Sequence, residues 1–306
     1  MWLSRRRAVG EALERSPLRD RLVSRFVAGG TATEAVARAQ PLLERGFTVS
    51  FSFLGEDVRS RAEAEAAERE YQALVAAIAA AGIGPQSVVA VKPTLLGLAA
   101  DAPLAERCLG SIAAAAREAG ARVELDMERS PLVEATLALF RSGVRVDPAM
   151  GIAQQAYLHR AAADVEALLA EGIARVRLVK GAYAEPASVA VQDAASVRQA
   201  FHALMRRLLS SEAQASGGVR LAVATHDPSL LAATRTQAFR NQLGTEAWEV
   251  QLLYGVRPSL RDRLLGEGYP VRVYLPYGAH WYPYFMRRLA ERPANLWFAL
   301  REVFGR

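Results

Sequence analysis

The sequence predicts an α/β fold, a (β/α)8 barrel preceded by extra N-terminal helices. Three observations carry this. Short apolar runs rich in β-branched residues recur eight times, each is followed by a longer segment with helical spacing, and no Pro-, Gly- or Ser-rich linker divides the series. Strand–helix alternation implies a parallel sheet covered by helices. Eight undivided repeats favour a closed barrel over two doubly wound halves. On this reading residues 1–46 form an N-terminal helical segment. Residues 47–306 form the barrel, with its last helix over the mouth.

The eight runs are TVSFSF (48–53), SVVAVK (87–92), RVELDM (122–127), GIAQQAY (151–157), RVRLVK (175–180), VRLAVAT (219–225), EVQLL (249–253) and VRVYLP (271–276). Between them lie segments such as AEAEAAEREYQALVAAIAAAG and SPLVEATLALFRSG. There apolar residues recur at i, i+3, i+4 and i+7 and Gly follows the end, the spacing of amphipathic helices.

A barrel carries its chemistry at the C-terminal ends of its strands. Polar residues collect there: Glu56, Lys92, Asp126, Gln155, Lys180, His226, Gln251 and Tyr274. Arg177 lies inside the fifth run, three residues before Lys180. The two differ in parity, so both face the mouth only if the strand ends or bends between them. Gly181 allows that.

Composition removes several classes of function. One cysteine, Cys108, supports neither a disulfide framework nor a cysteine metal cluster. The four histidines lack metal-ligand spacing, so no metal site is expected. Gly-x-Gly-x-x-Gly, P-loop, His-Glu-x-x-His and nucleophile-elbow motifs are all missing. No apolar run is long enough to span a bilayer, and the basic start MWLSRRR has no apolar stretch behind it. The expected setting is cytoplasmic. Net charge is +6, with Lys only at Lys92 and Lys180 among 38 basic residues. The arginines are dispersed along helices near acids, which opposes nucleic-acid binding.

The strand ends thus offer two lysines, an arginine, an acid and amides. That set suits a strand-end lysine acting as a Schiff-base nucleophile. It equally suits cations that position a carboxylate beside a cofactor supplying the chemistry.

Several motifs then appear in order: FLGE (53–56), VKPT (91–94), ELDME (124–128), QQAY (154–157), RLVKGAY (177–183), ATHDP (224–228), QLLYG (251–255), YLPYG (274–278) and YFMRRLAE (284–291). As a set they resemble the proline dehydrogenase family, in its monofunctional form. The resemblance implies FAD-dependent oxidation of L-proline to Δ1-pyrroline-5-carboxylate, the first step of proline catabolism, with electrons passed to a quinone-type acceptor. It implies that Lys92, Arg287 and Arg288 bind the substrate carboxylate and that Tyr274 packs on the ring. Arg177 would lie by the flavin N5 and Asp126 would orient the cationic network. Met127, Gln155, Lys180, Gly181, Ala182, Thr225 and His226 would contact FAD, and Glu56 would gate the site by pairing with a last-helix arginine. A quinone acceptor implies peripheral contact with a membrane, for which the Arg-rich N-terminus is suited. Three positions depart from the family pattern: Ser52 stands where an acid is common, Asp227 where Asn is, and Tyr254 where His is.

Overall fold

The computed structural model describes residues 23–284 apart from 56, 174, 216, 217 and 283. Eight parallel strands close into a barrel in sequence order. They are β1 (Thr48–Phe53), β2 (Ser87–Val91), β3 (Arg122–Leu125), β4 (Gly151–Gln155), β5 (Arg175–Val179), β6 (Arg220–Ala224), β7 (Trp248–Leu253) and β8 (Val271–Tyr277). β8 pairs with β1 from Thr48↔Arg272 to Phe53↔Tyr277, so no edge strand remains.

The sequence reading placed all eight, and most of the differences are at the C-terminal ends. Lys92, Asp126, Lys180 and Thr225 fall just beyond the strand ends. Asp126 still donates its N–H to the Val91 carbonyl at 2.8 Å, the last rung between β2 and β3. β5 ends at Val179, which frees Lys180 from strand parity.

Alternate residues of each strand face outward. Val49, Phe51, Val89, Val91, Val123, Leu125, Leu178, Val223, Val250 and Leu275 are buried there and pack beneath the helices. These are α1 (Ala32–Glu44), α2 (Arg61–Ala80), α3 (Ala102–Glu118), α4 (Val133–Val144), α5 (Ala161–Ala170), α6 (Ala194–Leu208), the short α7 (Ser211–Ala215), α8 (Pro228–Arg240) and α9 (Pro258–Gly266). α2 starts at a reciprocal cap: Ser60 Oγ accepts from Glu63 N and the Glu63 carboxylate accepts from Ser60 N. Its buried stripe is Ala64, Ala67, Tyr71, Leu74, Val75 and Ile78.

α1 is the described helix of the N-terminal segment. It packs against β1, β8 and α2, and so occupies the place in the outer ring that follows β8. The approach to it crosses the mouth end of the barrel, where Ala28 N donates to Pro276 O and Gly278 N to Gly29 O. Residues 1–22 and 285–306, including the expected last helix, lie outside the described residues.

The inward face is polar to an extent the sequence reading did not expect. Barrel interiors are commonly filled by branched aliphatic side chains. Here Arg272, only 1% exposed, donates to Glu249 at 2.6 and 3.1 Å and to the carbonyls of Val49 and Gln86. Arg220 completes the cluster, 3.0 Å from the other side of the same carboxylate. One guanidinium therefore ties β8 to β7, β1 and the entry to β2. Removing one member of a buried ion pair strands its partner, at about 3–5 kcal/mol. Arg272→Met is expected to lower unfolding free energy by about that amount in urea titration; a change below about 0.5 kcal/mol would show that the cluster does not hold the barrel closed.

Candidate active site

At the C-terminal mouth the structure brings three of the expected site residues into one network. Arg177, on β5, is 5% exposed. Its Nη2 donates to Asp126 Oδ1, and Nη1 lies 3.3 Å from Glu124 Oε2. The other Asp126 oxygen accepts from the Tyr274 hydroxyl at 2.9 Å. The guanidinium carbon sits 5.3 Å from the centre of the Tyr274 ring, within cation–π range. Asp126 thus clamps a cation and an aromatic ring from opposite sides of the barrel in one orientation.

Electrostatics follows from that burial. Desolvation works against the Arg177 charge, but the Glu124 and Asp126 carboxylates outweigh it and hold the guanidinium protonated. Burial pushes the Glu124 carboxyl up, with Arg177 opposing. The Tyr274 phenol is raised well above its ordinary value, first by burial and then by the Asp126 charge, so it remains a hydrogen-bond donor.

Lys92 follows β2 and its Nζ donates to Ser52 Oγ at 2.8 Å and to the Phe53 carbonyl at 2.7 Å. Ser52, one of the departures from the family pattern, is therefore a partner of this lysine. Asp227, another departure, receives Lys180 Nζ at 2.8 Å and caps α8 through Ser229. The ion pair and the Ser229 hydrogen bonds hold Asp227 down at about 2 against its partial burial. A partly exposed lysine paired with a carboxylate lacks the apolar surroundings that activate a Schiff-base nucleophile.

The loops after β4, β5 and β6 supply the remaining residues. Gln155 donates to the Glu128 carbonyl at 2.8 Å and accepts from Ala182 N at 3.3 Å. Gly181 has φ of +129°, and a Cβ there would lie 2.2 Å from the Tyr157 ring. Glycine is thus required both by the backbone angle and by close packing. Thr225 Oγ1 accepts from Asp227 N. His226 Nε2 accepts from Leu253 N at 3.1 Å, which assigns the ring proton of the neutral imidazole to Nδ1. Met127 is buried immediately after β3. Glu56, Arg287 and Arg288 lie outside the described residues.

Two residues in the network went unassigned from sequence. Glu124 pairs with Arg177, and Glu128 accepts from Thr94 N at 2.8 Å and Thr94 Oγ1 at 2.7 Å. Thr94 Oγ1 in turn accepts from Asp57 N at 3.3 Å, so Glu128 anchors the loop that follows β1. The signal was present as E-x-D-x-E (124–128), three acids at the two-residue period that points every one of them to the same side.

Comparisons with known proteins identify the family. The family model described as proline dehydrogenase matches residues 35–301. This chain belongs to the proline dehydrogenase family. It is 37% identical over 279 residues to proline dehydrogenase 1 of Bacillus subtilis, covering 91% of this chain and 89% of that protein. It is 38% identical over 285 residues to the proline dehydrogenase of Deinococcus radiodurans, covering 92% and 89%. Among solved structures, proline utilization A from Bdellovibrio bacteriovorus inactivated by N-propargylglycine superposes with a TM-score of 0.81 at 25% identity. That match covers 93% of this chain and 34% of the larger one. This proline dehydrogenase is an enzyme of proline catabolism.

Burial pushes the Glu128 carboxyl up to about 7 although the Thr94 donors favour its charged form. A carboxyl raised in the folded state stabilises the fold fully below its unfolded value, near 4.5, and loses that stabilisation as pH rises through about 7. Wild-type protein is therefore expected to lose thermal stability relative to Glu128→Gln as pH rises from about 4.5 to about 8. Melting curves that shift in parallel over this range would contradict the assignment.

Proposed function

We propose that this chain uses FAD to oxidise L-proline to Δ1-pyrroline-5-carboxylate, with the flavin N5 accepting the hydride that leaves the ring carbon next to nitrogen. The observation that carries the reading is the Asp126 clamp on Arg177 and Tyr274. It fixes a positive donor and an aromatic wall around one point at the mouth.

The residues present fit a flavin. Arg177 Nε is buried without a hydrogen-bond partner among the described residues, as suits a donor awaiting an acceptor. Gly181 keeps its loop free of a side chain beside Gln155 and Ala182, and Lys180, Thr225 and His226 lie on the adjoining loops after β5 and β6. In this reading Met127, Gln155, Arg177, Lys180, Gly181, Ala182, Thr225 and His226 hold the cofactor.

Lys92 binds the substrate carboxylate together with Arg287 and Arg288, whose guanidiniums offer paired donors. These two reach the site if the last helix lies over the mouth. The packing of α1 against β8 and β1, in the outer-ring place after β8, supports that position. Glu56 then pairs with a last-helix arginine and excludes water. Tyr274 packs on the pyrrolidine ring. Asp126 orients its two partners, both of which remain protonated in the folded protein. The amine must be unprotonated, because its lone pair drives hydride loss, and the cations of Lys92 and Arg177 disfavour the ammonium form.

N-propargylglycine, which inactivated the Bdellovibrio protein, shares with proline a carboxylate and a secondary amine, the two groups this site addresses. Electrons are proposed to pass to a quinone-type acceptor through peripheral contact with the inner face of a membrane. No helix among the described residues is long and apolar enough to cross one, and the basic start MWLSRRR supports a surface contact.

Purified protein is expected to show flavin absorbance that bleaches on anaerobic addition of L-proline. Asp126→Ala should keep the flavin but slow the bleaching about 10²-fold; unchanged bleaching by the variant, or none by the wild type, would overturn the reading. The rate of flavin reduction at saturating proline should rise with pH as the substrate amine loses its proton. A flat profile would show that the amine protonation state does not control the step.

A further inference from the structure

The opposite, N-terminal end of the barrel holds a second polar cluster that the chemistry at the mouth does not use. Four arginines converge there from four strands: Arg122, Arg175, Arg220 and Arg272 line one cavity together with Glu124 and Glu249. Arg175 and Arg220 are register partners on adjacent strands, a spacing of about 4.8 Å between backbones. Like charges held as neighbours repel, and partial burial strengthens the repulsion.

The two carboxylates do not neutralise this group. Glu249 is already shared by Arg272, Arg220 and the Gln251 amide. Glu124 is turned toward the mouth, onto Arg177. Arg122 and Arg175 have no hydrogen bond or ion pair among the described residues, although each is more than half withdrawn from solvent. Arg220 Nε is buried without a partner. Burial, then the charges of Arg272 and Arg175, push the Arg122 guanidinium down to about 10. Arg175 is lowered by burial and by Arg220.

The space between these groups is kept open by small residues. Gly151 lies on the strand between those of Arg122 and Arg175, and a Cβ there would already be 3.4 Å from the Arg175 and Glu124 side chains. Ala149 and Ala222 line the same cavity. Its volume is about 20 Å³, room for one or two water-sized particles.

We propose that the base of the barrel binds one small monovalent anion of the chloride class, held by Arg122, Arg175 and Arg220. The anion is the missing counter-charge: it bridges β3, β5 and β6 as Arg272 bridges β7, β8 and β1. It is structural, on the face of the barrel remote from the reacting groups, and does not depend on the flavin reading.

The test is thermal unfolding of the purified protein at constant ionic strength with gluconate replaced stepwise by chloride. For a dissociation constant of about 10 mM, the wild-type midpoint should rise by about 2–4 °C at about 100 mM chloride and go on rising with the logarithm of the chloride concentration. The double variant R122Q/R175Q should show no such rise. An equal midpoint in both salts, or a variant that keeps the wild-type response, overturns the proposal. Should the variant fail to fold, wild-type crystals soaked in bromide decide: an anomalous peak among the three guanidiniums supports the site, and none there overturns it.

Discussion

A charge carried into the interior of a barrel has to meet its opposite there, because water is excluded and an unpaired ion is expensive. That constraint organises this protein from base to mouth. Arg272 and Glu249 sit at the base, Arg177 and Glu124 at mid-height, and Asp126 with Tyr274 at the top. Each layer satisfies part of the layer beside it. Arg177 joins the interior to the site, since one Nη of its guanidinium is claimed by Glu124 and the other by Asp126. A side chain with five donors in a fixed plane cannot rotate away while both carboxylates hold it.

The apolar core therefore lies between the strands and the helices, and not on the barrel axis. Apolar side chains on the outward face supply the hydrophobic burial, while the inward face is left to polar groups that set orientation. This division separates stability from chemistry. It also explains how so many titratable groups are tolerated in one small volume: their neighbours are fixed by strand register, and register is enforced by the apolar face.

Around the mouth, loops are tied to each other by hydrogen bonds that are individually modest. Glu128 joins the β3 loop to Thr94 and, through it, to the loop after β1. Gln155 joins the β4 loop to Glu128 and Ala182. Asp227 joins the β6 loop to Lys180. These ties run from one strand end to the next, so the polar side chains of the mouth share a single framework. Ser52 and Asp227, where the chain departs from its family pattern, both accept from lysines in that framework.

Much of this was legible in the residues. The two-residue and 3.6-residue periods are local properties of the chain, so the eight strands and the intervening helices could be read directly, and with them the strand ends where polar residues gather. Lys92, Asp126, Arg177 and Tyr274 could be named for the same reason. What no local pattern contains is partnership. Arg272 and Glu249 are separated by a helix, and Arg177 and Asp126 by one strand and two helices; only barrel closure and stagger bring each pair into reach. Glu124 and Glu128 read as ordinary alternation until the register aimed them at Arg177 and Thr94. The position of α1 in the outer ring was equally invisible, because which helix fills a place depends on what else competes for it. The sequence determined the elements and the chemical groups they carry; closure of the barrel decided which groups meet, because ion pairing and hydrogen bonding act over a few ångströms and only the tertiary fold sets those distances.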